Sequence, residues 1–371
     1  MKGLPESFDI ARRAGLILYF PIKSDQEQNF DAIFRIYQNE YIFLKEELFQ
    51  YRSRCENKWS QDKCRLGLSQ PTARTSFSKY MRIAHGLDFI EMQKIQDGWI
   101  SKPTPSTHII NILCKLNKAE KKSHFELSKS LKLFFLHNLL KKDALFIIPI
   151  LKSLNEAEVS SQTGIINNEF LSICAKNLFD FSSNSFEMNF LKPVEVQSYV
   201  KRLKFFELNQ YKISSNDKPT RGFLHMMEPR IHWLIDLLLI DNNQFCKNAI
   251  IKPANFLLKY FDNPNFQYED LMTNYYAYLL TLESSNNSII SSDNYEDDNN
   301  SITLAINELK NYYPKLIPLN TTIDLIQIIS SIQEDIFVPA SKILENLTKT
   351  YTILRDWNPK EGFIDISSIK N

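Results

Sequence analysis

Glycine is scarce in this sequence, where only 8 of the 371 residues are Gly. Glycine-rich turns form phosphate-binding loops and the dinucleotide-binding turn of doubly wound folds, so their scarcity argues against both classes of protein. The G-x-S-x-G, Walker A and H-E-x-x-H motifs are also absent from the sequence. We therefore predict no catalytic site and no cofactor. An enzyme whose site combines residues distant in sequence is the third-ranked alternative.

Metal-binding patterns are missing as well. The five cysteines form no C-x-x-C pair, and Cys55 and Cys64 are separated by eight residues, which is not a zinc-binding spacing. Glu308 and Lys310 have the E-x-K spacing of a nuclease metal site, but residues 302–313 have the pattern of a helix rather than a strand. We predict no metal site. The odd, scattered set of cysteines favours reduced thiols in the cytoplasm.

Long apolar runs are also lacking. Residues 15–20 are too few to cross a membrane, and residues 231–240 form an apolar run of ten that contains Asp236. We expect a soluble, cytoplasmic protein without a membrane partner, and we predict a short strand at residues 16–20. The net charge is +1, so any contact with nucleic acid must come from local charge.

The most informative stretch is residues 75–101. Its first part has the i, i+3, i+4, i+7 spacing of one apolar helix face: Phe77, Tyr80, Met81 and Ala84. Gly86 suits the end of this helix. Residues 89–100 are rich in apolar and β-branched side chains and are interrupted by the turn signal at residues 96–98. A helix that leads into a short hairpin is the pattern of a winged helix.

The outer face of this predicted helix is basic. Residues 52–88 contain eight Lys or Arg and three Asp or Glu, so the local charge is 8 − 3 = +5. The candidate DNA-binding residues on this helix are Arg74, Ser78, Lys79 and Arg82. Lys and Arg neutralise phosphates and Arg reads guanine edges, so we predict that this helix contacts double-stranded DNA. The alternative for the basic run is a solvated surface loop.

Three later segments repeat the helix-to-hairpin pattern at irregular intervals, so the chain is not a solenoid. The second unit has a helix from Val196 and predicted strands at residues 205–208 and 211–213. The third has a helix that begins at Pro229, and the fourth has a helix from Ala340 that is followed by a predicted hairpin. The alternative is that ordinary amphipathic helices precede ordinary hairpins.

The outward positions of these helices divide the units into two groups. Those of the second unit are also candidate DNA-binding residues: Gln197, Ser198, Lys201 and Arg202. The predicted outward residues of the third unit are His232, Trp233 and Asp236, and those of the fourth include Lys342 and Glu345. A carboxylate repels phosphates, so we predict that the first two units contact DNA and the last two do not.

The predicted fold is mainly α with small β wings, arranged as tandem winged-helix domains. We predict an N-terminal winged-helix domain at residues 1–105, a central domain with two winged-helix-like units at residues 106–265, and an acidic winged-helix-like domain at residues 266–371. Residues 262–310 contain nine acidic residues and one basic residue. Within this region, residues 284–301 are rich in Ser, Asn and Asp and are predicted to form a mobile loop.

This layout resembles the recognition half of FokI-like type IIS restriction enzymes, in which several winged helices precede a separate nuclease domain. The resemblance rests on the helix–hairpin units at residues 75–100 and 193–213 and on no invariant motif. No nuclease domain is predicted after them, which departs from that family. The resemblance implies a recognition subunit of a prokaryotic restriction or antiphage defence complex, with cleavage supplied by another polypeptide.

Two functions of different classes follow from these patterns. The favoured one is a sequence- or structure-sensing DNA-binding subunit without its own catalytic site. Its expected partners are double-stranded DNA and other protein subunits, which it binds through its C-terminal half. The alternative is a structural adaptor whose winged helices pair with protein partners such as a chromosome-organising ATPase. The basic early helices favour the first function, and the acidic, tyrosine-rich second half favours the second.

Overall fold

The computed structural model describes two compact units. The described residues are 14–23, 26–55, 73–96, 98–116, 124–156, 168–184, 205–210, 218–240, 254–257, 271–272, 274–275, 277–278, 299–334, 338–355 and 362–369. The first unit comprises residues 1–102, 122–127 and 135–264, and the second comprises residues 103–121, 128–134 and 265–371. The described residues are mainly helical and include two small three-stranded antiparallel sheets, which confirms the prediction of a mainly α fold with small β elements.

The first unit begins with three helices and one of the two sheets. In chain order its elements are α1 (Ala14–Lys23), β1 (Gln28–Asn29), α2 (Phe30–Cys55), α3 (Ala73–Gly86), β2 (Ile90–Ile95) and β3 (Gly98–Pro103). The sheet order is β1-β3-β2, and the antiparallel pairs of the first two strands are Gln28 with Ser101 and Asn29 with Ile100. The helix-to-hairpin pattern predicted at residues 75–101 is therefore confirmed.

Aromatic rings build the core between α1, α2 and α3. The ring of Phe77 on α3 lies 5.0 Å from that of Phe20 on α1 and 5.9 Å from that of Tyr37 on α2, between centroids. All four predicted apolar positions of α3 are 0–1% exposed: Phe77, Tyr80, Met81 and Ala84. A fully buried Phe stabilises the fold by about 1.5–3 kcal/mol relative to an exposed one, so this face anchors α3.

Helix α1 occupies the place of the short strand predicted at residues 16–20. Every residue of Ala14–Pro21 is buried. The segment therefore lacks the regular repeat of polar and apolar residues by which a helix is recognised in a sequence. Gly15 allows α1 to approach the backbone of residues 124–125 closely. A Cβ atom added at Gly15 would lie 1.9 Å from the carbonyl oxygen of His124.

Four helices follow β3: α4 (Pro105–Leu116), α5 (Lys129–Glu156), α6 (Asn168–Asn184) and α7 (Lys218–Asp236). Helix α4 lies in the second unit, and α6 and α7 lie in the first. Helix α5 bends at Asp143, whose φ of −137° and ψ of 17° are not helical. The first unit also includes residues 135–264, and the predicted domain boundaries at residues 105 and 265 stay a prediction.

A buried ion pair connects α7 to the bend of α5. The Nε and Nη2 of Arg230 donate hydrogen bonds of 2.7 and 3.0 Å to the two carboxylate oxygens of Asp143, and both side chains are fully buried. The Nη1 of Arg230 donates a 2.6 Å bond to the carbonyl oxygen of Met226. The guanidinium also lies 4.1 Å from the ring centroid of Phe146. These contacts satisfy a charge that would otherwise destabilise the core.

The third predicted unit requires a correction, because two of the three residues assigned to the outward face of its helix are buried and His232 is half-buried. Helix α7 begins at Lys218 and contains Pro229 in its interior. Trp233 is fully buried and Asp236 is 4% exposed. Asp236 accepts a 2.9 Å hydrogen bond from the backbone nitrogen of Ala14, the first residue of α1. A carboxylate at a helix N-terminus satisfies an otherwise unpaired N–H group, which explains its burial.

The second predicted unit also requires a correction. Residues 205–208 form a helical turn, closed by a backbone i→i−4 hydrogen bond of 3.2 Å, and not a strand. The buried ring of Phe206 lies 5.0 Å from that of Phe223 on α7. Such a short apolar run does not distinguish a helix from a strand. The strand predicted at residues 211–213 and the helix predicted from Val196 lie outside the described residues.

The second unit contains the other sheet. After α4, its helices and strands include α8 (Asn299–Leu309), β4 (Leu316–Pro318), α9 (Leu319–Glu334), α10 (Ala340–Thr350), β5 (Tyr351–Arg355) and β6 (Gly362–Ile369). The sheet order is β4-β6-β5, with Ile364 paired to both Ile317 and Ile353. The helix from Ala340 and the hairpin after it are confirmed. Residues 299–301 of the predicted mobile loop begin α8, and residues 284–298 lie outside the described residues.

The two sheets are embedded in the same order of elements. In each unit the order is helix, strand, helix, helix, strand, strand, and the first strand pairs with the third. In the second unit, Glu308 on α8 accepts a 2.8 Å bond from Lys115 on α4. Glu308 therefore lies on a helix, as its sequence context predicted. Within the described residues, no helix combines the length and apolar character needed to cross a membrane.

Glu40 on α2 binds two side chains of α1. Its carboxylate accepts hydrogen bonds of 2.6 Å from the hydroxyl of Tyr19 and 2.8 Å from the Nζ of Lys23. Burial by itself raises the pKa of Glu40, but the hydrogen bonds from Lys23 and Tyr19 outweigh it and lower the pKa below its usual value. Because the folded-state pKa is lowered, this stabilisation is present above the unfolded-state pKa and is lost as the pH falls through the folded-state value.

We expect Glu40→Gln to lower the free energy of unfolding by about 1 kcal/mol at neutral pH, because it removes a charged hydrogen-bond acceptor. The difference from wild type should disappear in acid, where the wild-type carboxyl is also uncharged. Urea unfolding at neutral and acid pH measures both quantities. Glu46→Gln, at an exposed position of the same helix, is the matched control. A difference that persists in acid would contradict the electrostatic explanation.

Candidate nucleic-acid interface

Helix α3 turns one side to solvent because its apolar side is buried in the core. Arg74, Arg82 and His85 are exposed, and Ser78 is half-buried. These positions are four, four and three residues apart in chain order, so they follow one another along one stripe of the helix. Lys79, which is half-buried, lies beside this stripe. The structure therefore brings the four candidate residues of the first predicted helix onto one surface. We call the row of Arg74, Ser78, Arg82 and His85 the α3 stripe, and Lys79 lies on its flank.

Arg74 stands at the N-terminal end of the α3 stripe. Its Nη2 donates a 2.7 Å hydrogen bond to the Oδ1 of Asp31. The two side chains are 66% and 56% exposed, so water screens the pair, and such pairs contribute about 0–1 kcal/mol. A phosphate can therefore replace Asp31 as the partner of Arg74 with little loss of stability.

Asp88 lies between α3 and β2, where its carboxylate would repel a phosphate. It has a left-handed backbone conformation with a φ of 59°, which forms the turn between the helix and the strand. The Nζ of Lys142 forms an ion pair with this carboxylate. The ammonium group of Lys142 offsets the negative charge of Asp88, so this turn does not cancel the positive charge of the α3 stripe.

His85 connects α3 to the strand that follows it, and sequence reasoning did not select it. Its Nδ1 lies 3.2 Å from the carbonyl oxygen of Ile90 and 3.3 Å from the backbone nitrogen of Met92. An unprotonated Nδ1 accepts from Met92 and a protonated one donates to Ile90, so both forms bind the backbone of β2. His85 thus holds the start of the hairpin against α3. Its position three residues after Arg82 is the signal that predicts its place on the stripe.

The β2–β3 hairpin, which we call the wing, is exposed towards its tip. Its exposed residues on β2 and the turn include Gln93, Lys94, Ile95 and Gln96. On β3, Trp99 is 44% exposed. Lys102, at the base of the wing, forms a 3.3 Å ion pair with Glu27. Lys94 is therefore the wing cation that lies towards the tip.

Four of the eight candidate DNA-binding residues belong to the helix predicted from Val196. They are Gln197, Ser198, Lys201 and Arg202, and all four lie outside the described residues. Their contact with DNA stays a prediction. The structure describes only the first of the two predicted contact helices.

Helix α10 occupies the same place in the second unit as α3 in the first, but its outer face has mixed charge. Glu345 is exposed and forms a 3.0 Å ion pair with Lys349, one turn further along the helix. Ser341 is exposed and Lys342 is half-buried. Ala340 is also exposed, although the apolar spacing predicted its burial, because the core covers α10 only from Ile343 onwards. The carboxylate of Glu345 disfavours phosphate binding at this face.

The described residues include no cluster of three or more His, Cys, Asp or Glu side chains that could hold a metal ion. The thiol of Cys174 is fully buried and donates a 3.7 Å hydrogen bond to the sulfur of Met227. Burial raises the pKa of Cys174 to about 12, so this thiol stays protonated at neutral pH and does not supply a nucleophile.

No known protein family, curated protein or solved structure matches this chain. The stripe offers cations on an exposed helix face, and the wing extends from the end of that helix.

Proposed function

We propose that both units are winged-helix domains and that α3 of the first unit binds double-stranded DNA. The shared order of helix, strand, helix, helix, strand, strand supports this assignment, as does the pairing of the first strand with the third. The order places one exposed helix directly before a hairpin in each unit. An α-helix with its side chains is about 10–12 Å wide and matches the major groove of B-DNA, which is about 12 Å wide.

The observation that carries the proposal is the division of α3 into two faces. Phe77, Tyr80, Met81, Ile83 and Ala84 are buried, so the core holds the helix through the side opposite the α3 stripe. The stripe and its flank carry Arg74, Lys79 and Arg82, with the hydroxyl of Ser78 between them. Each cation that neutralises a phosphate releases a condensed counterion, which makes such binding favourable and salt-dependent.

Base recognition is assigned to the middle of the stripe. Arg82 is exposed and can donate two hydrogen bonds to the O6 and N7 of guanine, whereas Ser78 can donate to or accept from several bases. Arg74, at the end of the stripe, is assigned to phosphate. In the second predicted helix, Gln197 is assigned to adenine, together with Ser198, Lys201 and Arg202 as further DNA contacts.

At the level of the cell, we propose a DNA-recognition subunit of a prokaryotic restriction or antiphage defence complex. The resemblance to the recognition half of type IIS restriction enzymes supports this role. Since the sequence has no recognisable nuclease motif, another polypeptide would supply cleavage. The second unit would then bind protein subunits, because its outer helix face carries the Glu345–Lys349 ion pair.

A structural adaptor is the second candidate function. The small sheet of the second unit leaves Leu316 and Leu354 exposed. Leu354 is paired with Phe363, and paired residues share one face of a sheet, so apolar side chains lie side by side on two strands of this face, which also carries Asp365. Exposed apolar surface of this kind favours contact with protein rather than with phosphate. The two functions are compatible if the first unit binds DNA and the second binds protein.

The test is a gel-shift salt series with the Lys79→Ala, Arg82→Ala double variant and random duplex DNA. Neither residue belongs to the buried face of α3, so the variant should fold. Each lost phosphate contact lowers the slope of log affinity against log salt by about one unit, so we expect a fall of about one unit from the loss of Lys79. The lost base contact of Arg82 should weaken binding by about a further 1–3 kcal/mol. Thermal unfolding of the free protein checks that the fold is unchanged.

Lys342→Ala on α10 is the matched control, since it removes one cation from the corresponding helix of the second unit. We expect it to change the salt slope much less, because Glu345 shares its face. If Lys342→Ala and the double variant lose equal affinity, α3 is not the contact helix. If the wild-type protein binds no duplex DNA at any salt concentration, the DNA-recognition function fails and the adaptor function replaces it.

A further inference from the structure

The tip of the wing projects beyond the core of the first unit. In a strand that covers a core, alternate side chains are buried. On β2 this alternation stops after Met92, and the next four residues, 93–96, are all exposed. At the turn, Gly98 has a φ of 141°, and a Cβ atom added there would meet no atom within 4 Å. Among the described residues of the tip, residues 93–96 and Trp99 are therefore accessible to a ligand.

Lys94 and Trp99 lie on the side of the wing that faces the core nearer its base. Successive side chains alternate between the two faces of a strand, so Lys94 shares the face of the buried Ile90. By the same rule, Trp99 shares the face of Ser101, which is 1% exposed. Beyond the edge of the core, this face carries the ammonium group of Lys94 and the indole ring of Trp99. Ile95 is exposed on the opposite face of β2.

An exposed indole and an ammonium group on one face of a hairpin match the chemistry of an unpaired nucleotide. The ring offers a flat surface for a base, and stacking of this kind is worth about 1–3 kcal/mol per base. The ammonium group neutralises the phosphate of the same nucleotide. Inside a duplex both faces of each base are already stacked on neighbouring base pairs. Only a terminal or unpaired base has a free face for Trp99.

We propose that the wing is a second nucleic-acid site, in which Trp99 stacks on an unpaired base and Lys94 binds its phosphate. This inference depends on the proposed function, because the α3 stripe would hold the adjoining duplex. The DNA recognised is then a duplex that passes into a single-stranded segment, rather than an uninterrupted duplex. The wing thereby distinguishes DNA that has an unpaired base from uninterrupted duplex, and α3 contributes the contacts to the duplex.

The experiment compares two DNAs of the same sequence: a linear duplex with a single-stranded overhang and a covalently closed circle. We expect the wild-type protein to bind the overhang DNA about tenfold more tightly than the circle, per site, in line with the stacking of one base. Trp99→Ala should abolish this preference and leave affinity for the circle unchanged. Trp99→Phe keeps an aromatic face and should retain most of the preference.

Ile95→Ala is the matched control, since it removes an exposed apolar side chain from the opposite face of the same wing. It should leave the preference for the overhang intact. If the wild-type protein binds circle and overhang equally well, or if Trp99→Ala keeps the preference, the wing proposal is overturned while the proposed function stands. If neither DNA is bound, the proposed function itself fails, and the wing proposal fails with it. If the wing instead binds a protein partner, the wild-type protein should bind circle and overhang equally well, and the wing proposal is overturned.

Discussion

Replacing either partner of the buried Arg230–Asp143 ion pair is expected to lower the free energy of unfolding by about 3–5 kcal/mol. Arg230→Met leaves the Asp143 carboxylate without its cation in a fully buried position. Asp143→Leu leaves the guanidinium with the carbonyl of Met226 and the ring of Phe146, which do not neutralise it. The loss is large because the remaining buried charge has lost its contacts with water, and the protein provides no interaction of similar strength in their place.

The double variant should be much less destabilised than the sum of the two single variants. Removing both charges together leaves no unpaired ion, and apolar replacements of similar size are often neutral at buried pairs. Urea unfolding of the four proteins forms a double-mutant cycle that measures the coupling energy. Arg74→Ala breaks an exposed pair and serves as the control, with a loss of at most about 1 kcal/mol. Additive single losses at Arg230 and Asp143 would mean that the pair is not coupled.

Gly15→Ala is the second substitution with a large expected effect, a loss of about 3 kcal/mol or more. The added methyl group would lie 1.9 Å from the carbonyl oxygen of His124, which belongs to the backbone and cannot rotate away. Either α1 or residues 124–125 must move, and α1 is buried from Ala14 to Pro21. The free energy of unfolding from urea titration measures this loss directly.

Gly222→Ala is the matched control for this prediction. Gly222 lies in α7, and a Cβ atom added there would meet no atom within 4 Å. Since Ala is favoured over Gly inside a helix by about 0.5–1 kcal/mol, this change should leave stability unchanged or raise it slightly. If Gly15→Ala is as well tolerated as Gly222→Ala, α1 does not pack against residues 124–125 as closely as the structure describes.

The sequence alone was sufficient for the two helix-to-hairpin segments, because their signal is local. Helix α3 buries one face and exposes the other, so its apolar residues recur with the helix period and identify both its core face and the α3 stripe. The turn before Gly98 then separates two short β segments. At α10 the same change of period predicted the helix and the hairpin that follows it. Each signal depends only on residues that are close together in the chain.

The conformation or burial of other segments could not be predicted, because it depends on contacts with residues that are distant in the chain. Helix α1 is buried on every side, so its residues show no helix period and were predicted as a strand. The two residues of β1 have no pattern of their own and form a strand only because β3 pairs with them. Asp236 has the sequence context of an outward carboxylate, but the backbone nitrogen of Ala14 makes its burial favourable.

At the candidate interface, the sequence alone predicted some positions, and others depend on the folded chain. The candidate residues of α3 follow from the helix period. The place of His85 depends on the backbone of β2, and the exposure of Trp99 depends on where the core ends under the wing. Periodicity identifies which face of an element is apolar, whereas the extent to which other segments cover that face is a property of the folded chain.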